Sequence, residues 1–325
     1  MSIPGEPAFN FVAAWARPGP GLEDADAADV GVDSTGRVYV FSRSEKAMLV
    51  LNPDGTLHQR WGSPGMFVRP HSLFVGPDDT LWLTDTGTNN VREFSPSGDL
   101  LRSFEPETLE DNAFTGRPFA QCTHVAIDPY TREIFVSDGY LNASVHRFAP
   151  DGTLIKSWGS PGSAPGQFCI PHNLVADGAG FIHVADRHNS RIQVFDHGGV
   201  LHHVVAGFGL PNALHLGTYQ GNPALYAVEL SPMTFPARTG YETAVTWSHL
   251  PEVGHRVTIR QLDGSVQATL AAAGIGDSDG QLAGPHGIAV DSAGSIYVAE
   301  LSPRPPADGA MTSIVKLENS AAADD

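Results

Sequence analysis

Residues 172–186 read HNLVADGAGFIHVAD, and four other stretches repeat the pattern: 29–43 DVGVDSTGRVYVFSR, 71–85 HSLFVGPDDTLWLTD, 124–138 HVAIDPYTREIFVSD and 286–300 HGIAVDSAGSIYVAE. Each begins with a short alternating apolar run, turns on Asp, Gly or Pro, and continues into a second β-rich run, which is the signature of a hairpin. In four of the repeats a third strand follows: MLVLNP at 48–53, VREFSP at 91–96, VHRFAP at 145–150 and IQVFDH at 192–197. A glycine-containing turn then leads to a fourth strand such as LHQRWG at 57–62 or LIKSWG at 154–159. Four short strands per repeat make one blade of a β-propeller.

A degenerate fifth copy lies between the fourth and last units: NALHL at 212–216, LYAVEL at 225–230 and VTIRQLDGSVQATL at 257–270. The last unit has only three strands of its own. The N-terminal FNFVAAW at 9–15 matches the fourth-strand pattern and has no blade. The expected fold is therefore all-β, a single six-bladed domain over 1–325, its ring closed by the N-terminal strand joining the C-terminal blade. Such closure removes the exposed edge strands that an open stack would leave. An insertion at about 231–256 in blade five has no counterpart elsewhere, and reads either as a wall of the site or as a surface excursion.

The composition agrees with this architecture. The 325 residues are 41% hydrophobic, with 35 Gly and 25 Pro, enough for a packed core and many turns. A net charge of −17 disfavours nucleic acid and anionic membranes as partners. No stretch reaches the length of a membrane span, and residues 1–21 lack a basic patch followed by an apolar run, so a cytoplasmic location is expected. The two cysteines, Cys122 and Cys169, are too few for a disulfide scaffold. Nothing in the sequence fixes an oligomeric state.

The innermost strands of a propeller line its axis, so the residues that open successive repeats form a ring. That ring reads Asp29, His71, His124, His172, Asn212, His286. Its second, fourth and sixth members are histidines preceded by proline, on alternate blades about one third of a turn apart. Three imidazoles converging in this way suit a catalytic zinc with an open position, or another divalent metal. The competing reading is a structural polar ring. His124 reads as a fourth ligand, a proton shuttle, a substrate contact or a lining residue.

Around these histidines, SDGYLN at 137–142, PGQFCIPHNL at 165–174 and VADRHNSRIQVF at 184–195 resemble the peptidyl-α-hydroxyglycine α-amidating lyase family, an NHL-repeat β-propeller family. Weaker matches lie at 30–43, 69–73 and 285–290. The resemblance implies that His71, His172 and His286 hold zinc, that Tyr140 is the catalytic base, and that Arg43 and Arg187 line the substrate site. It implies a lyase that breaks the carbon–nitrogen bond of an α-hydroxyglycine. Zinc can acidify a substrate hydroxyl, arginine can grip a carboxylate bidentately, and an ionised tyrosine can take the proton. Tyr140 has an alternative as a hydrogen-bonded aromatic, and the arginines as paired surface cations.

Two departures stand out. The family commonly carries a methionine where this chain has Gly284. The aspartate that supports a structural calcium is here Gly287, which argues against Ca2+. The absence of a hydroxylating domain and these changes favour a small carboxylate-bearing carbinolamine or α-hydroxyglycine-like substrate. The alternatives are a metal-dependent hydrolase such as a lactonase, and a non-catalytic NHL interaction module.

Overall fold

The computed structural model describes residues 9–12, 14–17, 19, 26–106, 113–231, 254–270, 282–301 and 313–320. These residues form six four-stranded antiparallel sheets arranged as blades. The inner strands are Ala27–Val32, Pro70–Val75, Cys122–Ile127, Pro171–Ala176, Leu210–Tyr219 and Pro285–Val290, in blades one to six. The ring closes as the sequence suggests. Phe9–Val12 pairs antiparallel with Ile314–Asn319, Phe9 opposite Asn319, so the first strand completes the last blade. Most of the blade-five insertion lies outside the described residues.

The core is not a single mass but six apolar layers, one between each pair of neighbouring blades. Between blades one and two, for example, Tyr39, Phe41 and Met48 meet Leu73, Leu83 and Phe94. Period-two alternation explains this, because the two faces of every blade are covered by different neighbours and both must be apolar. Among the described residues no helix is long and apolar enough to cross a membrane.

Every inner strand carries a register shift near its start, and the skipped residues are Ala28, His71, Thr123, His172, Asn212 and His286. A bulge of this kind re-aims one side chain and bends the strand. It also corrects the ring read from the sequence. Blade one contributes Ala28 and blade three Thr123, while Asp29 and His124 fall one residue further along, level with Ser72, Asn173 and Gly287. The period of two explains the consequence, since a slip of one residue turns a side chain to the other side.

The segments leading into the channel are fixed by carboxylates at the ends of the second strands. Asp85 accepts the backbone N–H groups of Val68 and Arg69 at 2.7 and 2.8 Å. Asp186 accepts that of Cys169 at 2.7 Å, and Glu300 those of Ala283 and Gly284 at 2.6 and 3.2 Å. Each of these three segments runs directly into a Pro-His pair, so the carboxylates set the height at which the histidines enter the axis.

Candidate metal centre

His71, His172 and His286 are all buried, and their ligating nitrogens lie within 4.8 Å of one another. Each donates its Nδ1 proton to a backbone carbonyl of the next blade: His71 to Thr123 at 2.7 Å, His172 to Asn212 at 2.7 Å and His286 to Ala28 at 2.6 Å. The acceptors are the bulged residues of the three intervening blades. Six blades thus alternate between supplying an imidazole and supplying the carbonyl that orients it. Such a bond fixes the tautomer and leaves Nε2 as a bare acceptor.

Burial holds all three imidazoles neutral. It lowers His71 and His172 well below the ordinary histidine value, the charges of His286 and Arg187 respectively being the next causes. His286 is pushed down to about 3, again chiefly by burial and further by Arg43 and Arg187.

Tyr140 reaches the same centre from blade three. Its hydroxyl lies 2.9 Å from Nε2 of His71 and 3.0 Å from Nε2 of His172. Gly139 makes this approach possible, because a Cβ there would stand 2.3 Å from the carbonyl oxygen of Pro171. With both Nδ1 protons committed, the single phenolic proton faces two acceptors and serves only one of them. Three convergent neutral nitrogens with a mismatched oxygen are a set that a divalent cation of borderline softness completes, and the residues present fit zinc or a similar ion.

Arg187, 5% exposed, places its guanidinium 5.6 Å from the centroid of the Tyr140 ring and donates to Oδ1 of Asn212 at 3.1 Å. Asn212 also accepts the His172 proton on its carbonyl and donates Nδ2 to Pro285 at 3.0 Å. It therefore ties an axial histidine, an arginine and the proline before another axial histidine into one network. The sequence placed Asn212 in the axial ring without giving it a role. His188, not singled out by the sequence, accepts the Arg187 Nε–H on Nδ1 at 3.1 Å, and burial followed by the Arg187 charge pushes it down to about 2. Arg43, exposed at the same face, sends Nε to the carbonyl of Pro70 at 3.4 Å.

His124 is not brought to this centre. It lines a separate cavity of about 300 Å³ with Asp29, Asn173 and His215, which includes none of the three axial histidines and not Tyr140. The one-residue slip described above sets His124 beside Asp29 and Asn173 rather than among the axial nitrogens. The two departures from the family pattern also have local causes. A Cβ at Gly284 would lie 2.2 Å from the Leu301 carbonyl oxygen, and one at Gly287 would lie 2.0 Å from Oδ1 of Asp29.

Asp29 thus takes the space beside residue 287, with its carboxylate oxygens accepting the N–H groups of Val30 and Leu73, each at 2.9 Å. Burial pushes Asp29 up to about 8. A carboxyl group turned toward amide protons is not an oxygen cage for calcium, which takes six to eight oxygen ligands. The residues do not fit a structural calcium ion.

The buried histidines carry a pH prediction for the metal-free protein. Burial lowers His124 to about 3 and His215 to about 4, alongside the axial three and His188. Below about 6.5 the unfolded chain binds protons that the folded histidines refuse, so each removes about 1.4 kcal/mol of stability per pH unit until its folded value is reached. Asp29 at about 8 and Asp186 at about 6 act oppositely, binding protons when folded above the unfolded value of 3.8. Histidines outnumber these carboxyls. The urea midpoint is expected to fall markedly from pH 7.5 to pH 5.0; an unchanged midpoint would show that the imidazoles protonate freely in the fold.

Residues 168–195 match the NHL repeat family. The chain is 30% identical to peptidyl-α-hydroxyglycine α-amidating lyase 1 of Drosophila melanogaster over 278 residues, covering 80% of this chain and 48% of that protein. It is 31% identical to a peptidyl-glycine α-amidating monooxygenase of Mus musculus over 222 residues, covering 58% of this chain and 22% of that one. The chain thus spans about half or less of the length of these relatives. The solved structure of a streptogramin B lyase superposes with a TM-score of 0.58 over 95% of this chain and 97% of that one, at 12% identity, a likeness of fold alone. The chain is thus an NHL-repeat β-propeller similar in sequence to the peptidyl-α-hydroxyglycine α-amidating lyases.

Proposed function

We propose that the chain is a metal-dependent lyase that cleaves a small, carboxylate-bearing α-hydroxyglycine or related carbinolamine into an amide and glyoxylate or its analogue. The observation that carries this reading is the Tyr140 hydroxyl, 2.9 and 3.0 Å from Nε2 of two axial histidines and 5.6 Å, at its ring, from a buried guanidinium. His71, His172 and His286 are the residues that would hold the ion, most suitably zinc. A divalent ion there supplies Lewis-acid polarisation of the substrate hydroxyl.

The chain's own residues supply the rest. Arg187, fixed by Asn212 and His188, receives the substrate carboxylate, and Arg43 flanks it at the mouth. Tyr140, acting as its phenolate after losing its own proton, takes the hydroxyl proton and passes it to the departing nitrogen. The carbon–oxygen bond becomes a carbonyl as the carbon–nitrogen bond breaks, and the departing nitrogen takes a proton to become the amide. No water is consumed, which separates this reaction from hydrolysis.

The test is incubation of zinc-loaded protein with N-benzoyl-α-hydroxyglycine. Benzamide and glyoxylate are expected in equal amounts, above the spontaneous rate. Absence of both, from protein shown to contain the ion, would sink the proposal.

A further inference from the structure

Arg69 is a third cation of the same site. It stands two residues before His71 and immediately before Pro70, on the rung that Ile170 and Gly284 occupy before the other two ligands. The backbone of that rung is held in one way throughout. Arg69 accepts the N–H of Thr86 at 3.2 Å, Ile170 that of Arg187 at 3.2 Å and Gly284 that of Leu301 at 2.9 Å. Asp85 fixes the Arg69 N–H from below at 2.8 Å.

From this anchored backbone the Arg69 guanidinium lies 6.0 Å from the centroid of the Tyr140 ring, against 5.6 Å for Arg187. Arg69 is exposed at the mouth and forms no ion pair with a described carboxylate. Arg43 reaches the carbonyl of Pro70, the residue next to Arg69, so two like charges meet on this side of the tyrosine. Their mutual repulsion shows in Arg43, which is lowered first by desolvation and next by the Arg69 charge, with Tyr140 and Asp26 offsetting this in part. Holding like charges together in the free protein is unfavourable, and a bound anion relieves it.

The cations of the site thus fall into two groups. The buried one is at Arg187, beside the axial nitrogens; the second is at the mouth, between Arg69 and Arg43. We infer that the substrate carries two anionic groups, one held by Arg187 and another, on its acyl side, held by Arg69 with Arg43. Arg69 is then a specificity-determining residue. A long neutral peptide would leave the outer pair uncompensated, whereas a short dicarboxylate spans both positions. This inference rests on the proposed lyase site and names its substrate class.

Calorimetric binding to the zinc-loaded protein at pH 7.5 tests it without turnover, using two unreactive glycine derivatives that lack the hydroxyl, N-acetylglycine and N-succinylglycine. The extra carboxylate of the second is expected to tighten binding about tenfold, the effect of one charge-assisted contact of roughly 1.4 kcal/mol. In Arg69→Gln that gain should disappear while N-acetylglycine binds within about twofold of the parent protein. Equal binding of both probes by the parent protein, or a gain that survives in Arg69→Gln, would overturn the inference alone. Binding of neither probe would overturn it together with the site reading beneath it.

Discussion

Replacing Tyr140 by Phe is expected to lower kcat for glyoxylate release by about 10²- to 10⁴-fold, the range for loss of a general base, while leaving the metal in place. The expectation follows from where the hydroxyl sits. Among the described residues it is the one hydroxyl within hydrogen-bonding distance of Nε2 of His71 and His172, at 2.9 and 3.0 Å, and Phe keeps the ring beneath Arg187 and Arg69. The change should therefore appear in kcat more than in KM. Steady-state kinetics on metal-loaded protein decide the point. A rate within a few-fold of the parent would remove Tyr140 from the chemistry and leave it a structural neighbour of the histidines.

The largest effect on stability is expected from Asp186→Ala, which should cost about 3–5 kcal/mol, the usual consequence of breaking a buried ion pair from one side. Asp186 is fully buried and accepts four donors: the Cys169 N–H at 2.7 Å, Asn189 Nδ2 at 2.8 Å, Arg191 Nε at 2.7 Å and Gln193 Nε2 at 3.1 Å. Its removal strands these donors and frees the segment that carries Ile170, Pro171 and His172. Ile170 is held at a φ of +56°, a left-handed conformation that a β-branched residue adopts only under constraint. Metal affinity should fall with stability, although Asp186 is no ligand. Urea denaturation and metal titration of the variant check both parts. A loss of stability below about 1 kcal/mol with unchanged metal affinity would contradict the positioning role.

Much of the architecture was legible in the sequence because hairpins are local. Alternation of apolar residues and recurring Asp/Gly turns marked the blades, and the bladeless strand at Phe9–Val12 pointed to the ring closure that the structure displays. The three Pro-His pairs were legible for the same reason, each recurring at one register. Bulges were not. A repeat aligned by its conserved-looking letters places His124 with His71, whereas the skipped residue in blade three is Thr123.

Residues that act through geometry rather than repetition were the ones missed. Asn212 lies in the degenerate fifth repeat, where no histidine flags it, and its importance comes from three bonds to elements of blades four and six. His188 sits beside Arg187 but outside the repeat register. Arg69 was hidden in the matched segment RPHSL, read for its histidine alone. Gly284 and Gly287 looked like losses of function-bearing side chains, and the structure gives each a steric cause in Leu301 and Asp29.

Three imidazoles, oriented by the carbonyls of the blades between them, are placed to hold one divalent ion on the propeller axis. Elemental mass spectrometry of the untagged protein after reconstitution with zinc, beside His71→Ala, His172→Ala and His286→Ala variants whose folding is checked by circular dichroism, decides whether they do. About one equivalent of zinc is expected in the parent protein, and its loss in each folded variant. No bound metal in the parent, or one equivalent retained in any of the three, would contradict this expectation.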